Sequence, residues 1–451
     1  MTRTANLSTA RASALYVGAL LGPSLLLLPG LAASLAGPAS ILAWLLLLTV
    51  SAMLAGVFTA LGTRLPSAGG VAAYTEAGLG HPAGRAVAWC VLAGVICGAP
   101  VVCLIGGGYI GVLLGGGRTA GLGAAAVLLV AVIAFTLGGA RATAVAQLVL
   151  ICLLVVLVAV AVIGSAPAAR TANWTPFLPH GWTSVGSATS VLMMSAVGWE
   201  AIAPLTARLR NPARQLPRVI LIAFAVTAIF YLGLAISTVA VLGPGAGSAT
   251  PLSDLLQVAV GSAGPAIAAV AAVALTLATT NAYLTGAAVL AAALRAPVAH
   301  EAAAAPGGTV ARGEAAAPAE AAPPRGAGRL QIGTGIVGLL ILGGAATGLL
   351  NTAQLVALPT ALFLTVYLGC LAAATRILSG GTRVIAALAF VAVAVILGFT
   401  GWALLGVLAV ILLAVLASPK AVLESRTVVG IPGPVDPIPG QFAPKHRTSV
   451  G

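Results

Sequence analysis

Glu200 is the residue whose chemistry most needs an explanation. It lies in Ser195-Ala196-Val197-Gly198-Trp199-Glu200, within an apolar segment spanning roughly 185–207, and it is the one acid of eight inside such a segment. The others (Glu76, Asp254, Glu301, Glu314, Glu320, Glu424 and Asp436) fall in hydrophilic gaps, a loop or the tail. Burying a carboxyl group among apolar helices is costly, so an isolated one usually has a task. Glu200 reads either as a proton carrier or as a protonated structural hydrogen-bonder. A second candidate is Leu21-Gly22-Pro23-Ser24, followed by Pro29. Glycine weakens a helix, and proline removes a donor and clashes with the preceding turn. A break there exposes N–H groups from the following half-helix and carbonyls from the preceding one, ends that suit a carboxylate and an ammonium. A simple packing kink is the alternative. Gly198 beside Ala196 and Val197 is placed to break its own segment in the same way.

Other residues are less decisive. Trp199 is either a lid over a bound molecule or a packing aromatic. Thr279, Thr280, Asn281 and Tyr283 form a polar cluster that could bind a ligand or hold helices together. The five cysteines lie in apolar segments without a C-x-x-C pair, and the four histidines lie in gaps or tails, so no metal site is expected.

These residues need a membrane to position them. The chain has 451 residues, 60% hydrophobic and 6% charged, whereas soluble domains carry about 25% charged residues. Its net charge of +13 comes from residues scattered through short gaps, which excludes a nucleic-acid-binding module. A span needs about 20 apolar residues. Such segments occur at 12–36, 38–63, 87–114, 121–138, 142–164, 185–207, 217–242, 263–294, 332–350, 353–377, 383–399 and 401–418. The first is too long for a signal peptide's apolar core and is read as an uncleaved helix. With the N-terminus inside, 19 of the 21 Lys and Arg residues fall on the inner side, leaving Arg118 and Arg170 outside. That split supports about twelve spans with both termini cytoplasmic. Residues 1–11, the Ala/Pro-rich loop 295–330 and the Pro-rich tail 419–451 are read as cytoplasmic and outside the bilayer.

Segments one to five (12–164) and six to ten (185–377) are similar in length once the 295–330 loop is set aside. Five is odd, so the second set enters the membrane from the opposite side. The fold expected is all-α and integral to the membrane: a 5+5 inverted repeat, plus two helices at 383–418. Matched breaks at Gly22 and Gly198 then occupy equivalent first helices of the two repeats.

Four motifs carry a family resemblance over residues 12–418. They are Leu21-Gly22-Pro23-Ser24 with Pro29, Pro66-Ser67-Ala68-Gly69-Gly70 with Tyr74, Val197-Gly198-Trp199-Glu200-Ala201, and Asn211-Pro212 with Pro217-Arg218. In this order they resemble the amino acid–polyamine–organocation superfamily, most closely bacterial exporters of methionine and branched-chain amino acids. The resemblance implies a secondary active transporter using alternating access, driven by a proton gradient without a cofactor. The backbone around Leu21, Gly22, Pro23 and Ser24 would take the substrate carboxylate. Ala196, Val197 and Gly198 would take the amino group, with Trp199, Asn281 and Tyr283 near the substrate. Glu200 would couple the proton. The expected substrate is a neutral aliphatic amino acid, since one Glu gives little fixed charge for a dibasic one. The expected location is the bacterial cytoplasmic membrane, as a monomer or homodimer. Here Pro23 deletes a donor, Ser24 replaces a family glycine, Ala196 stands where the family has an aromatic, and Arg208 where it often has an acid. An uptake permease or antiporter of the same superfamily is the nearest rival. A membrane-embedded enzyme is a remote one, because converging intramembrane motifs such as H-E-x-x-H are lacking. No G-x-x-x-x-G-K-[ST] loop is present to use ATP.

Overall fold

The computed structural model describes residues 8–65, 70–139, 144–199, 209, 211–295 and 327–416. Glu200, Arg208, most of the 66–70 motif, and the hydrophilic segments at 296–326 and 417–451 lie outside the described residues. The described chain is α-helical, joined by short turns. Its first apolar segment forms two helices, α1 (Thr9–Leu20) and α2 (Ser24–Ala36). Gly37, at φ +59°, and Pro38 turn the chain into α3 (Ser40–Arg64). A short α4 (Gly70–Leu79) meets the long α5 (His81–Leu113) at a corner where His81 Nδ1 lies 3.0 Å from Glu76 Oε1. Pro82 sits in the first turn of α5, where a missing N–H costs no helical bond. α6 (Gly117–Leu137), α7 (Ala144–Ser165) and α8 (Trp182–Leu192) follow.

The Asn211-Pro212 motif is a helix start. Asn211 Oδ1 accepts from the Arg214 N–H at 3.3 Å, Gln215 Oε1 accepts from the Asn211 N–H at 2.9 Å, and α9 (Pro212–Leu242) begins there. α10 (Pro251–Val260) and α11 (Gly264–Arg295) come next. α12 (Ala327–Ala346) precedes α13 (Thr352–Ile377), which Asn351 and Gln354 cap reciprocally at 2.8 and 2.9 Å. α14 (Gly381–Gly398) and α15 (Ala403–Leu416) are separated at Gly401, φ +60°.

Two regions expected as gaps, 64–86 and 243–262, contain α4 and α10, and α5 starts at His81 rather than 87. Both extra helices have ten residues, too short to register as a span of about 20. Among the described residues, nine helical stretches are long and apolar enough to cross a bilayer. One of them, Ser24–Arg64, contains the turn at Gly37. α1, α8 and α15 are shorter, with 12, 11 and 14 residues.

The chain is a multi-pass membrane protein. Ile163, Leu340 and Leu405 on α7, α12 and α15 are apolar and exposed, as a lipid-facing surface requires. The interior lies where α2, α3, α5, α8 and α13 pack, and it buries Trp44, Phe58, Tyr109 and Tyr367 completely. α5 and α6 approach closely through small residues: a Cβ on Gly111 would stand 2.7 Å from the Gly117 carbonyl oxygen. α5 also packs on α11 and α13, and α1 packs on α9.

Candidate functional site

The helix is interrupted at both expected positions. α1 ends at Leu20, and Leu21 closes it with an N–H bond to the Val17 carbonyl at 2.8 Å. Helix resumes at Ser24, with the Leu25 and Leu26 N–H groups bonded to the Gly22 and Pro23 carbonyls. Among the described residues nothing accepts from the N–H of Gly22 or Ser24. Pro23 has no N–H to offer, so the donors here are Gly22 and Ser24 backbone plus the Ser24 hydroxyl. The second break follows α8. A 3-10 turn over Met193–Ala196 ends at Val197, in extended conformation, and Gly198 adopts φ +132°.

The two breaks touch. A Cβ on Gly198 would stand 2.6 Å from the Ala19 carbonyl oxygen. Tyr231, from α9, donates its hydroxyl to the Leu20 carbonyl at 2.7 Å and the Ser195 carbonyl at 3.1 Å, pinning one break to the other. Tyr367, from α13, donates to the Ala196 carbonyl at 2.7 Å, and Tyr16 donates to the Trp199 carbonyl at 3.2 Å. These rings are held by aromatic neighbours: Trp44 lies 5.1 Å from Tyr231, Phe58 6.1 Å from Tyr367, and Trp199 5.6 Å from Tyr16. Broken helices must re-satisfy freed backbone groups away from water. Three of the chain's six tyrosines do this here. Sequence reasoning missed them, although a tyrosine in the middle of an apolar segment signals a buried hydroxyl in need of a partner.

Tyr231→Phe therefore removes the single proton that the two carbonyls share, at a cost of about 1–3 kcal/mol. The expected result is a lower Tm in detergent with the fold retained. An unchanged Tm would show that the hydroxyl does not hold the breaks together.

A cavity with an empty volume of about 550 Å³, counting its open side, lies against the breaks. It is lined from five places: Ala19 and Gly22–Ser24, Gly94–Val102 of α5, Met194 and Val197, Thr279 and Tyr283 of α11, and Pro359 and Phe363 of α13. A second cavity, of about 850 Å³, lies toward the α1 N-terminus between α1, α7 and α11. The two share Ala19, Gly22, Thr279 and Tyr283, and Gln147 of α7 is a polar side chain of the second. No charged side chain lines either cavity among the described residues. Toward its other end α2 is held by close contacts. Gly30 abuts the Ser248 carbonyl, and Tyr109 donates to the Leu26 carbonyl at 2.9 Å.

The expected site residues divide accordingly. Gly22, Pro23, Ser24, Val197 and Tyr283 line the first cavity, while Leu21, Gly22, Gly198 and Tyr283 line the second. Ala196 is buried, with its carbonyl engaged by Tyr367. Trp199 is 2% exposed and lines neither cavity, which places it with the packing aromatics. Asn281 donates from Nδ2 to Thr136 Oγ1 at 3.0 Å, tying α11 to α6, and it also lines neither. Thr279 of the same cluster lines both. Glu200 lies outside the described residues.

A multi-pass helical protein with paired broken helices, around a cavity that no charged side chain lines among the described residues, has the build of a carrier of small molecules. The comparisons make this specific. The family model described as amino acid permease matches residues 7–300, and the chain belongs to that family. It is 31% identical over 400 residues to the uncharacterized amino acid permease YecA of Bacillus subtilis, covering 87% of this chain and 90% of that protein. It is 32% identical over 230 residues to the L-methionine/branched-chain amino acid exporter YjeH of Escherichia coli, covering 50% of this chain and 54% of that one. Over 275 residues it is 25% identical to the branched-chain amino acid permease BcaP of Lactococcus lactis, covering 54% and 58%. The chain is a transporter and not an enzyme.

Proposed function

We propose that the protein is a proton-coupled exporter of neutral aliphatic amino acids, of the methionine, leucine, isoleucine and valine type, working by alternating access. The observation that carries this is the pair of abutting breaks beside a cavity that no charged side chain lines among the described residues. One break presents the unpartnered N–H groups of Gly22 and Ser24, and α1 and the second break present backbone carbonyls. A helix N-terminus favours a carboxylate and a C-terminus an ammonium, so together they match a zwitterion of zero net charge. The carboxylate goes to Gly22 and Ser24. The ammonium goes to the carbonyl ends at Ala19 and Val197, since the Ala196 carbonyl is already engaged. Among the described residues, no lining side chain would partner the extra charge of a dibasic substrate. The relative named as a methionine and branched-chain exporter supports both the substrate class and the direction.

In this reading the broken segments make single spans, giving about twelve spans in a 5+5 inverted repeat with two further helices. The 19-to-2 distribution of basic residues puts both termini in the cytoplasm. Glu200, adjacent to the second break in sequence, carries the coupled proton.

The test is exchange of labelled leucine or methionine by purified protein in liposomes, with and without a pH gradient. Amino-acid exchange driven by the gradient is the expected result, and the gradient's effective direction separates export from uptake. No exchange of any neutral amino acid would overturn the proposal. Glu200→Gln is expected to reduce the gradient-driven component to background while ungraded exchange continues. Proton-driven transport at the wild-type rate in that variant would remove Glu200 from the mechanism.

A further inference from the structure

We propose that Gly98 sets the length of side chain the transporter accepts; this rests on the amino-acid reading above. α5 carries several glycines, and most are explained by packing. A Cβ would stand 2.8 Å from the Glu76 Cβ at Gly84, 2.9 Å from the Phe363 ring at Gly94, 2.7 Å from Thr276 Oγ1 at Gly106 and 2.7 Å from backbone at Gly111. Gly98 is different. Among the described residues, the one atom within 4 Å of its missing Cβ is the Pro359 Cβ, at 3.7 Å, an ordinary contact distance. No neighbouring helix uses the space. A glycine inside a helix is less stable than alanine, and here that cost brings no closer packing. What lies in front of Gly98 is the first cavity, which both Gly98 and Pro359 line. Gly98 is part-exposed, as a cavity wall should be.

The surroundings fix what the space is for. One turn earlier Gly94 also lines the cavity, but it is held by the Phe363 ring and has no room to vary. Val95, Ala99, Val102, Pro359 and Phe363 complete an apolar wall without a polar side chain. The polar groups are at the breaks and on α11. A zwitterion held at Gly22, Ser24, Ala19 and Val197 therefore has its side chain directed to the α5–α13 wall. Methyl groups added at Gly98 take volume from that end alone. One methylene more or less in an apolar pocket changes discrimination by about 10–200-fold.

The experiment measures competition by alanine, valine, leucine and methionine against labelled alanine exchange in liposomes, for wild type, Gly98→Ala and Gly98→Val. Each variant is first checked for monodisperse elution and Tm. Gly98→Val is expected to weaken leucine and methionine by about tenfold or more relative to alanine, with Gly98→Ala intermediate; the readout is this ratio, not the absolute rate of alanine exchange. If Gly98→Val does not fold, the Gly98→Ala ratio decides. An unchanged ratio, or a parallel loss of all four amino acids in a folded variant, overturns the proposal while leaving the transport reading in place. Failure of the wild type to exchange any of the four overturns the transport reading and this inference with it.

Discussion

Replacement of Gly198 by valine is expected to lower amino-acid binding and exchange by on the order of 100-fold, in a protein that still inserts into the membrane. Two independent costs act at this position. The first is conformational: Gly198 sits at φ +132°, a region that side-chain-bearing residues rarely adopt and β-branched ones avoid. Forcing a residue into it costs about 1–3 kcal/mol. The second is contact. A Cβ would stand 2.6 Å from the Ala19 carbonyl oxygen and 3.1 Å from its carbon, and these are backbone atoms at the end of α1 that cannot rotate away. Relief requires moving the second break from the first. The same movement stretches the Tyr231 bridge between the Leu20 and Ser195 carbonyls. The breaks then no longer present donors and acceptors at the separation a zwitterion needs. Positioning errors of this kind fall on affinity, so binding of labelled leucine to detergent-purified protein is the direct measurement. Gly198→Ala keeps both costs but adds no branch, and it should fall between valine and wild type. Wild-type affinity in the valine variant would mean that the substrate is not held where the two breaks meet.

The first break was legible because Gly22 and Pro23 act locally: one residue weakens helix and the next forbids the bond that would continue it. Gly198 was legible only through its pairing with Gly22, since a lone glycine in an apolar segment more often serves packing. Helix starts at Asn211-Pro212 and Asn351 are local chemistry too, but hydropathy alone began these helices at 217 and 353. What stayed hidden was tertiary. Whether Trp199 faced a cavity or the interior depended on Tyr16, far away in sequence. Asn281 donates to Thr136 of another helix, and an amide side chain looks the same in sequence whether it meets a helix or a ligand. Tyr231 and Tyr367 lie in apolar segments that mark buried hydroxyls, but nothing local names their partners, because the carbonyls they satisfy come from other elements. α4 and α10 escaped for a different reason. Hydropathy over a span-length window registers burial in lipid, and a ten-residue helix lying between spans gives no such signal.

Gly30→Ala is expected to cut exchange at least tenfold by a route that leaves the binding breaks intact. Gly30 lies within α2, on the side of the cavity away from the α1 N-terminus, and its missing Cβ would overlap the Ser248 carbonyl. A second close approach lies beside it, where a Cβ on Gly247 would stand 3.2 Å from the Ser34 Cβ. The segment leading into α10 thus rests directly on α2 backbone, and α2 in turn holds the Tyr109 hydroxyl at Leu26. These contacts hold α2 on one side of the cavity, while the second cavity extends toward the other. Alternating access requires that each side can close while the other opens. A methyl group at Gly30 prevents this packed arrangement, because the obstacle is a backbone carbonyl and not a mobile side chain. The population should shift toward forms open on the α2 side, and a carrier confined to one orientation exchanges slowly however well it binds. Hydrogen exchange across 243–256 should rise in the variant, and leucine affinity in detergent should change far less than the exchange rate. That split distinguishes Gly30 from Gly198, where affinity itself falls. Equal protection of 243–256 in variant and wild type, with transport unaltered, would show that this contact is packing and that closure on the α2 side is made elsewhere.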